Sequence, residues 1–338
     1  MSRLRVVHLV DDTTAGGVMR VLEHVTTSPE MALTAAHMLR VVDRRDLFLG
    51  SVDADVIVSH LSISWRRLPM FLTLRASNPK IPMVHVEHSY TENFVAINVL
   101  HRKRFASLLR TSYALFDRVV AVSHAQGGWL KKRRYVSEAA LHVIQSCTDM
   151  SSFRNLAPPQ ADRKIIGAIG RLDRQKGFDT LITAFRQCPD RDIALHIYGE
   201  GSEEKTLRLL ADEDPRIHFK GFVQDPMTAM SSVDVVAMPS RWEAYGLVAI
   251  EALCAGRKLL VNDLDGMVDH IPLGAQVVEA NSVTAWRTAI NRLNENSYHS
   301  SPNTEISQGR ALEMRFANRW GDLLMSLDLA PEKFNFAN

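Results

Sequence analysis

The sequence predicts an α/β fold with two three-layer domains, each built around a parallel sheet. Its 338 residues suit two domains of ~150 residues better than one or three. Short runs rich in Val and Ile alternate with helical patterns, as buried parallel strands and their crossover helices do. The alternation is interrupted once, over residues 151–164, where weak periodicity and the pair Pro158-Pro159 indicate a linker.

The first domain, residues 1–155, is predicted to contain five strands. Each is short, apolar and closed by a polar or glycine-containing turn. These strands cover residues 4–10, 55–59, 81–86, 118–122 and 141–144.

The second domain, residues 160–300, repeats the pattern, with helices predicted over 178–188 and 246–254. Apolar residues at helical spacing within 304–327 predict that residues 303–338 form helices packing on the lobes. Right-handed crossovers place ligands beyond the carboxyl ends of parallel strands, so we expect the site in the cleft between the domains. The predicted strands cover 164–169, 193–198, 217–219, 233–238, 258–261 and 276–278.

Composition excludes several classes of protein. Hydrophobic residues make up 46% and charged residues 23% of the chain, which is typical of a globular protein and not of a disordered one. No apolar run approaches the ~18 residues that cross a bilayer, and the N-terminus lacks a secretory pattern. Cys147, Cys188 and Cys254 are scattered, which argues against a disulfide framework and a zinc site. We therefore expect a cytoplasmic protein.

Charge is distributed unevenly along the chain. Residues 1–150 carry 19 Lys and Arg against 13 Asp and Glu, whereas residues 151–338 carry 21 against 25. Nucleic acid, anionic lipid and phosphorylated substrates are all compatible with the basic clusters at 101–104 and 131–134. The basic amphipathic stretch 96–118 fits two interpretations equally: a surface that contacts an anionic membrane, or a core-facing helix with a solvated back.

The strongest constellation of residues covers 238–256. A strand ends near Met238 and a helix begins near Gly246, so the free N–H groups of residues 245–248 form an anion site at the carboxyl edge of a sheet. Glu243 and Glu251 flank this helix start, where their carboxylates can accept hydrogen bonds from the hydroxyls of a bound sugar or ribose. The alternative is that both glutamates are ordinary solvated residues.

A second constellation opens the second domain. A strand ends at Gly170, and Arg171 and Lys176 stand five residues apart in the loop that follows. Together they can clamp a diphosphate as a fixed fork and a mobile point charge. A plain solvated turn is the alternative.

These two stretches resemble the donor domain of retaining glycosyltransferases of family 4, which have the GT-B fold of two Rossmann-like domains facing a central cleft. The pattern Gly-Arg-Leu-x-x-x-Lys-Gly occupies 170–177, and Pro-Ser-x-x-Glu-x-x-Gly-Leu-x-x-x-Glu-Ala-x-x-x-Gly occupies 239–256. The resemblance implies that Arg171 and Lys176 bind the diphosphate, Glu243 the transferred sugar and Glu251 the ribose. It further implies contacts with the sugar donor by Tyr245, Gly246, Leu247, Val248, Gly199, Glu200, Phe222 and Val223, the last four around the nucleobase.

Two features of the first domain also match the family. Gly16 and Gly17 follow the first strand, where the family has a glycine loop that approaches the ligand closely. His88 follows a buried strand and matches the family's histidine near the sugar and the β-phosphate, so the resemblance implies a catalytic role for it beside Glu243, Arg171 and Lys176. Residues 144–149 and 262–269 depart from the family pattern, which leaves the junction loop and the acceptor or donor preference open.

The function that the resemblance implies is metal-independent, retaining transfer of a hexose-type sugar from a nucleoside-diphosphate sugar, UDP or GDP, with no cofactor. The acceptor is expected to be a glycan or a lipid-linked molecule in cell-surface polysaccharide or glycoconjugate synthesis, not a nucleic acid. A lipid-linked acceptor would place the protein at the inner face of the plasma membrane, in peripheral contact with anionic lipid. A sugar-nucleotide 2-epimerase and an inactive partner subunit remain alternatives, whereas a dinucleotide-dependent oxidoreductase is disfavoured because no Gly-x-Gly-x-x-Gly follows Val10.

Overall fold

The computed structural model describes residues 3–14, 16–159, 164–293, 310–327 and 329. The chain forms two units. The first runs to Asp149 and takes up the chain again from Leu312, and the second runs from Met150 to Ala311.

The sheet of the first unit has six parallel strands in the order β2-β1-β3-β4-β5-β6. The order reverses between β1 and β3, which makes this pair the switch point of the sheet. The strands are β1 Arg5–Val10, β2 Ala36–Val41, β3 Val56–Ser59, β4 Met83–Glu87, β5 Arg118–Ala121 and β6 Leu141–Val143.

The edge strand β2 is a strand that the sequence prediction missed. It pairs in parallel with β1, with His37 opposite Val6 and Met38 opposite Val7. Its residues are half-buried or exposed, because only one neighbour covers it. A run of exposed residues lacks the continuous apolar character by which the other five strands were predicted.

Helices of the first unit cover the sheet and bury their apolar faces against it. Phe71, Met70 and Leu109 are among the fully buried side chains of this core. The helices are α1 Gly17–Thr27, α2 Pro29–Thr34, α3 Leu68–Ser77, α4 Glu92–Asn98, α5 Arg102–Tyr113 and α6 His124–Lys132.

The second unit has a parallel sheet in the order β12-β11-β10-β7-β8-β9, and all six of its predicted strands are confirmed. Here the order reverses between β7 and β10. The strands are β7 Lys164–Ile169, β8 Ile193–Tyr198, β9 Ile217–Gly221, β10 Val235–Met238, β11 Lys258–Asn262 and β12 Gln276–Val278. The helices are α7 Ser151–Arg154, α8 Phe178–Arg186, α9 Glu204–Ala211, α10 Pro226–Ser231, α11 Leu247–Cys254 and α12 Val283–Arg292, with 3₁₀ turns at Arg174–Lys176 and Asp265–Leu273.

The segment predicted as a linker begins with helix α7, which packs on α10 and α11 through the buried side chain of Phe153. The buried guanidinium of Arg257 donates to the carbonyl of Ala157 at 2.9 Å and to that of Met230 at 3.0 Å. Residues 151–159 are thus fastened to the second unit, while 160–163 lie outside the described residues.

The last described helix, α13 Ala311–Met325, packs on the first unit. Its Phe316 and Trp320 are buried, with Phe316 against His24 and Trp320 edge-on to His8. Arg118 at the start of β5 donates to the carbonyl of Ser326 at 2.6 Å. The remainder of the predicted terminal segment, residues 303–309, 328 and 330–338, lies outside the described residues.

Candidate functional site

The candidate site of the second unit lies along the carboxyl edge of its sheet. Strands β10, β7, β8 and β9 are consecutive neighbours, and each is followed by residues that the sequence analysis singled out. Glu243 and Gly246 follow β10, and Arg171 and Lys176 follow β7. Gly199 with Glu200 follows β8, and Phe222 with Val223 follows β9.

The centre of this edge is an ion pair across the switch point. Lys176 Nζ lies 2.5 Å from Glu243 Oε2, and the two side chains are only 15% and 12% exposed. An ion pair shielded from water is stronger than one at the surface. The structure therefore brings the predicted cation and the predicted acid into direct contact.

Gly177 allows the two loops of this pair to approach each other. Its φ of +67° is left-handed, and a Cβ there would lie 2.2 Å from the carbonyl oxygen of Pro239. Above this contact, the amide of Arg241 donates to the carbonyl of Gln175 at 2.8 Å, and the guanidinium of Arg241 pairs with both oxygens of Asp179 at 2.6 and 2.9 Å. The loops after β7 and β10 are thus fastened together.

Helix α11 begins immediately after Gly246, which has a φ of +87°. A Cβ on Gly246 would lie 2.4 Å from Met267 Cε and 3.2 Å from Glu243 Cγ. The first N–H groups of an α-helix have no partner within the helix, and here they belong to Leu247 and Val248 beside the Lys176–Glu243 pair. An anion placed there meets helix amides and the ammonium group together.

Arg171 does not join this pair. Its side chain is 74% exposed and lies 3.3 Å from Asp173 Oδ2. It also donates to Gln175 Oε1 at 3.3 Å, and Gln175 donates in turn to the carbonyl of Trp242 at 3.0 Å. The predicted clamp consists of one shielded cation and one that remains in solvent.

Glu251 is fully buried in the second turn of α11, with a relative exposure of 0%. Neither interpretation of the sequence anticipated this, since one made Glu251 a solvated residue and the other a ligand of a ribose. Contact between its carboxylate and a ribose requires the side chains around it to move.

The outer half of the edge joins β8 and β9. Gly199 has a φ of +134°, its amide donates to the carbonyl of Gly221 at 2.8 Å, and a Cβ on it would lie 2.0 Å from the carbonyl oxygen of Gly170. Beyond this tight contact, Glu200 and the aromatic ring of Phe222 are exposed, while Val223 is half-buried. An exposed aromatic ring at a strand end is suited to stacking on a planar base.

Three residues that support the loop after β10 escaped the sequence analysis. Trp286 Nε1 donates to Asn262 Oδ1 at 2.9 Å, and Asn262 donates to the carbonyl of Ser240 at 2.9 Å. His270 Nε2 donates to the carbonyl of Tyr245 at 2.7 Å, and burial lowers the pKa of this imidazole. A single sequence carries no signal for such contacts, because the partners are more than 20 residues apart.

In the first unit, the predicted residues also lie at the carboxyl edge of the sheet. Gly16 precedes α1 with an extended φ of −174°, and a Cβ there would meet only the carbonyl oxygen of Thr14 at 3.8 Å. The fold itself therefore does not require glycine at position 16. His88 follows β4, is partly exposed, and has its Nε2 2.8 Å from His60 Nδ1.

No group of three or more His, Cys, Asp or Glu side chains within the described ranges is arranged to hold a metal ion. In the same part of the chain, no helix has the length and apolar character needed to cross a membrane.

Two family models match the chain in succession. The model described as Glycosyltransferase Family 4 matches residues 6–152, and the model described as Glycosyl transferases group 1 matches residues 150–310. Their boundary coincides with the division between the two structural units.

Similar proteins include glycosyltransferases from several organisms. An uncharacterised glycosyltransferase of Methanocaldococcus jannaschii is 36% identical over 126 residues, which cover 36% of this chain and 32% of that protein. Phosphatidyl-myo-inositol mannosyltransferase of Mycobacterium leprae is 28% identical over 250 residues, covering 69% of this chain and 65% of that protein. The chain thus spans less than two thirds of the length of either relative.

Solved structures share the fold over nearly the whole chain. HepE of Anabaena in complex with UDP has a TM-score of 0.74 at 16% identity, covering 96% of this chain and 100% of that chain. The complex of HepE with UDP-glucose gives a TM-score of 0.72 at 17% identity with the same coverage. At these identities the similarity concerns the fold alone.

Proposed function

The chain belongs to the group 1 glycosyltransferases and has the GT-B fold, and from this membership we propose that it transfers a hexose-type sugar from a nucleoside-diphosphate sugar to an acceptor. The observation that carries the proposal is the contact of Lys176 with Glu243 at the N-terminus of α11. The cation and the helix amides can bind a diphosphate, and the acid beside them can bind the hydroxyls of the sugar attached to it.

In this proposal, the sugar, the diphosphate and the nucleoside of the sugar donor lie along the carboxyl edge of the sheet in the order of the strands β10, β7, β8 and β9. Glu243 after β10 binds the sugar hydroxyls, and Lys176 after β7 binds the diphosphate together with the amides of residues 246–248. The nucleoside then extends toward β8 and β9, with its base near Phe222 and Val223 beside Gly199 and Glu200. UDP is the proposed nucleotide, supported by the UDP and UDP-glucose complexes of HepE.

In the proposed reaction, the bond between the sugar's anomeric carbon and the β-phosphate oxygen breaks, and its electron pair leaves with the diphosphate. The acceptor oxygen forms the new bond to the anomeric carbon and loses its proton, so that the glycoside, the nucleoside diphosphate and one proton are the products. Lys176, Arg171 and the α11 amides stabilise the negative charge that develops on the leaving group. We assign this charge stabilisation to the chain's own cations, in a metal-independent reaction that retains configuration.

Three further roles belong to the same proposal. His88 acts in catalysis from the carboxyl edge of the first unit's sheet. Glu251 binds the ribose, a role that requires its buried carboxylate to become accessible when the sugar donor binds. Gly16 and Gly17 leave space for the ligand at the start of α1, since nothing in the fold crowds Gly16.

The acceptor is proposed to be lipid-linked, with the protein at the cytoplasmic face of an anionic membrane. Residues 96–104 line an open groove of about 890 Å³, in which Leu100 is 88% exposed beside Arg102, Lys103 and Arg104. Exposed apolar and basic side chains together favour binding to anionic bilayers.

Leu100→Glu should weaken sedimentation with phosphatidylglycerol vesicles, whereas Leu209→Glu, at a 73% exposed leucine of the second unit, should not. Equal sedimentation of both variants and the unaltered chain would oppose the membrane proposal.

The identity of the sugar donor is tested by measuring the binding of UDP, GDP and their hexose conjugates by calorimetry. UDP should bind, and Lys176→Gln should weaken it about tenfold or more, because a shielded charge-assisted contact is worth about 1.5–3 kcal/mol. Lys258→Gln is the matched control, since Lys258 begins β11 at the opposite edge of the same sheet. Transfer is then followed as release of UDP from UDP-glucose with acceptor present. Epimerised nucleotide sugar without transfer, or no nucleotide binding at all, would oppose the proposal.

A further inference from the structure

Four histidines form a hydrogen-bonded chain across the sheet of the first unit. His37 lies on β2 and His8 on β1, while His60 and His88 directly follow β3 and β4. Because β2, β1, β3 and β4 are consecutive neighbours in the sheet, the four imidazoles lie side by side. His88 ends the chain at the carboxyl edge of the sheet.

Every link of the chain joins Nδ1 of one ring to Nε2 of another. His37 Nδ1 lies 3.0 Å from His8 Nε2, and His8 Nδ1 lies 2.9 Å from His60 Nε2. His60 Nδ1 lies 2.8 Å from His88 Nε2. All three separations are hydrogen-bond distances for nitrogen donors and acceptors.

Burial keeps these rings neutral. It lowers the pKa of His8 and His60 well below the ordinary value, and lowers that of His37 and His88 to about 4. A neutral imidazole has one N–H and one acceptor nitrogen. The chain therefore runs in one of two directions, with every ring protonated either on Nε2 or on Nδ1.

Thr34, at the end of α2, decides between these directions. Its Oγ1 lies 2.8 Å from the carbonyl oxygen of Met31 and 2.9 Å from His37 Nε2. A carbonyl only accepts, so the single hydroxyl proton goes to Met31, and Thr34 Oγ1 must accept from His37 Nε2–H. His37 then accepts at Nδ1 from His8, which accepts from His60, which accepts from His88.

We propose that His60, supported by His8, His37 and Thr34, is a positioning residue that fixes His88 as the Nε2–H tautomer and presents its Nδ1 as a hydrogen-bond acceptor. The inference rests on the proposed function for the role of His88 in sugar transfer. The group that His88 recognises is then a hydrogen-bond donor, such as a hydroxyl of a sugar, and not an unprotonated phosphate oxygen. This is narrower than the sequence expectation, which placed His88 near both.

Neighbouring groups affect the pKa values of the four histidines or contact their rings without being hydrogen-bonded members of the histidine chain. Glu87 raises and His85 lowers the pKa of His88, while Arg3 lowers that of His37. The carboxylate of Glu87 instead accepts from Tyr113 Oη at 2.8 Å and from the amides of Ser89 and Tyr90 at 2.8 and 3.0 Å. Trp320 of α13 lies edge-on to His8 and His37. Among the described residues, no hydrogen-bond partner faces His88 Nδ1.

Nitrogen-15 NMR of histidine-labelled full-length protein at neutral pH tests the direction of the chain without reference to activity. We expect all four rings as Nε2–H tautomers. In Thr34→Val the His37 N–H loses its acceptor, so a fraction of His88 should appear protonated on Nδ1, whereas Thr34→Ser should keep the original pattern. Nδ1–H on His88 in the unaltered chain, or an unchanged pattern in Thr34→Val, would overturn the inference.

Kinetics then test the positioning role. His60→Leu should lower kcat for UDP release from UDP-glucose about tenfold or more and leave UDP affinity unchanged. His60→Gln carries both an acceptor for His88 and a donor for His8, so it should recover most of the loss and the original His88 tautomer. Equal kcat in His60→Leu and the unaltered chain would refute the role. Absence of turnover in the unaltered chain would refute the proposed function and leave the NMR result to decide the direction of the chain.

Discussion

Lys176 and Glu243 neutralise each other's charge, at a separation of 2.5 Å between Nζ and Oε2. In the proposed function, a diphosphate competes with Glu243 for the ammonium group, and the sugar hydroxyls compete with Lys176 for the carboxylate. Binding of the whole sugar donor therefore exchanges one internal ion pair for two contacts with ligand. Each residue keeps the other from being a buried, unpaired charge until the ligand arrives.

The exchange predicts effects of opposite sign for Glu243→Gln. UDP should bind more tightly, by about tenfold or more, because Lys176 no longer has to leave a shielded carboxylate contact worth about 1.5–3 kcal/mol. Turnover of UDP-glucose should fall about 100-fold, because the sugar loses the group that positions it. Calorimetry and UDP release measure the two effects. Weaker UDP binding in this variant would contradict the exchange.

The sequence was sufficient to predict that Lys176 and Glu243 lie near each other, because each residue occupies a motif after an apolar strand. It was not sufficient for the histidine chain. His8, His37, His60 and His88 are spread over 81 residues of the chain, and only the strand order β2-β1-β3-β4 brings them together. The burial of Glu251 did have a signal in the sequence, because α11 is apolar around most of its circumference and such a helix is buried on all sides.

At the scale of elements, glycines set how closely the loops of the second unit approach one another. Gly177 and Gly256 have the same φ of +67°, but their surroundings differ. A Cβ on Gly177 would lie 2.2 Å from the carbonyl oxygen of Pro239, whereas a Cβ on Gly256 would meet nothing within 4 Å. Substitutions at these two glycines therefore distinguish two free-energy costs: that of a left-handed backbone, which both share, and that of forcing the loops after β7 and β10 apart, which only Gly177 incurs.

Gly256→Ala should lower the free energy of unfolding by about 1 kcal/mol, the cost of a left-handed backbone for alanine. Gly177→Ala should cost about 1–3 kcal/mol more and also weaken UDP binding, because the displaced Pro239 loop carries Glu243 toward α11. Urea unfolding followed by fluorescence measures the first effect and calorimetry the second. Equal losses of stability in the two variants would show that the loops can part without cost.

Strand prediction succeeded for the central strands and for the edge strands β6, β9 and β12, and it missed only the exposed edge strand β2 among the strands of the described residues. The central strands of both sheets are apolar runs, and a continuous apolar run indicates a buried parallel strand. Strand β2 instead has exposed Met38, Leu39 and Val41. Its place in the sheet depends on pairing with β1, a long-range contact that local patterning does not encode.

At the scale of the whole molecule, the two units repeat one design. Each has six parallel strands and one switch point, between β1 and β3 in the first unit and between β7 and β10 in the second. The residues to which we assign functional roles lie at those positions: the link between His8 and His60 joins β1 to the end of β3, and the Lys176–Glu243 pair joins the loops after β7 and β10. The two groups differ in ionisation, because the histidines are neutral imidazoles whereas Lys176 and Glu243 are oppositely charged.

That difference predicts how the first unit responds to acid. The pKa of His88 is lowered from 6.5 to about 4 in the folded chain, so the unfolded chain binds more protons between these values and stability falls as pH decreases. The stabilisation is complete above pH 6.5 and lost by about pH 4, and the shift corresponds to about 3 kcal/mol. His8, His37 and His60 act in the same direction.

His88→Gln isolates one member of this set, since glutamine keeps an amide donor for His60 but does not titrate. Between pH 7 and pH 4 the variant should lose about 3 kcal/mol less stability than the unaltered chain. Urea unfolding at a series of pH values, followed by tryptophan fluorescence, measures the difference. Because carboxylates titrate alike in both proteins, their contribution cancels in the comparison. Parallel stability curves would mean that His88 is protonated equally in the folded and unfolded chains.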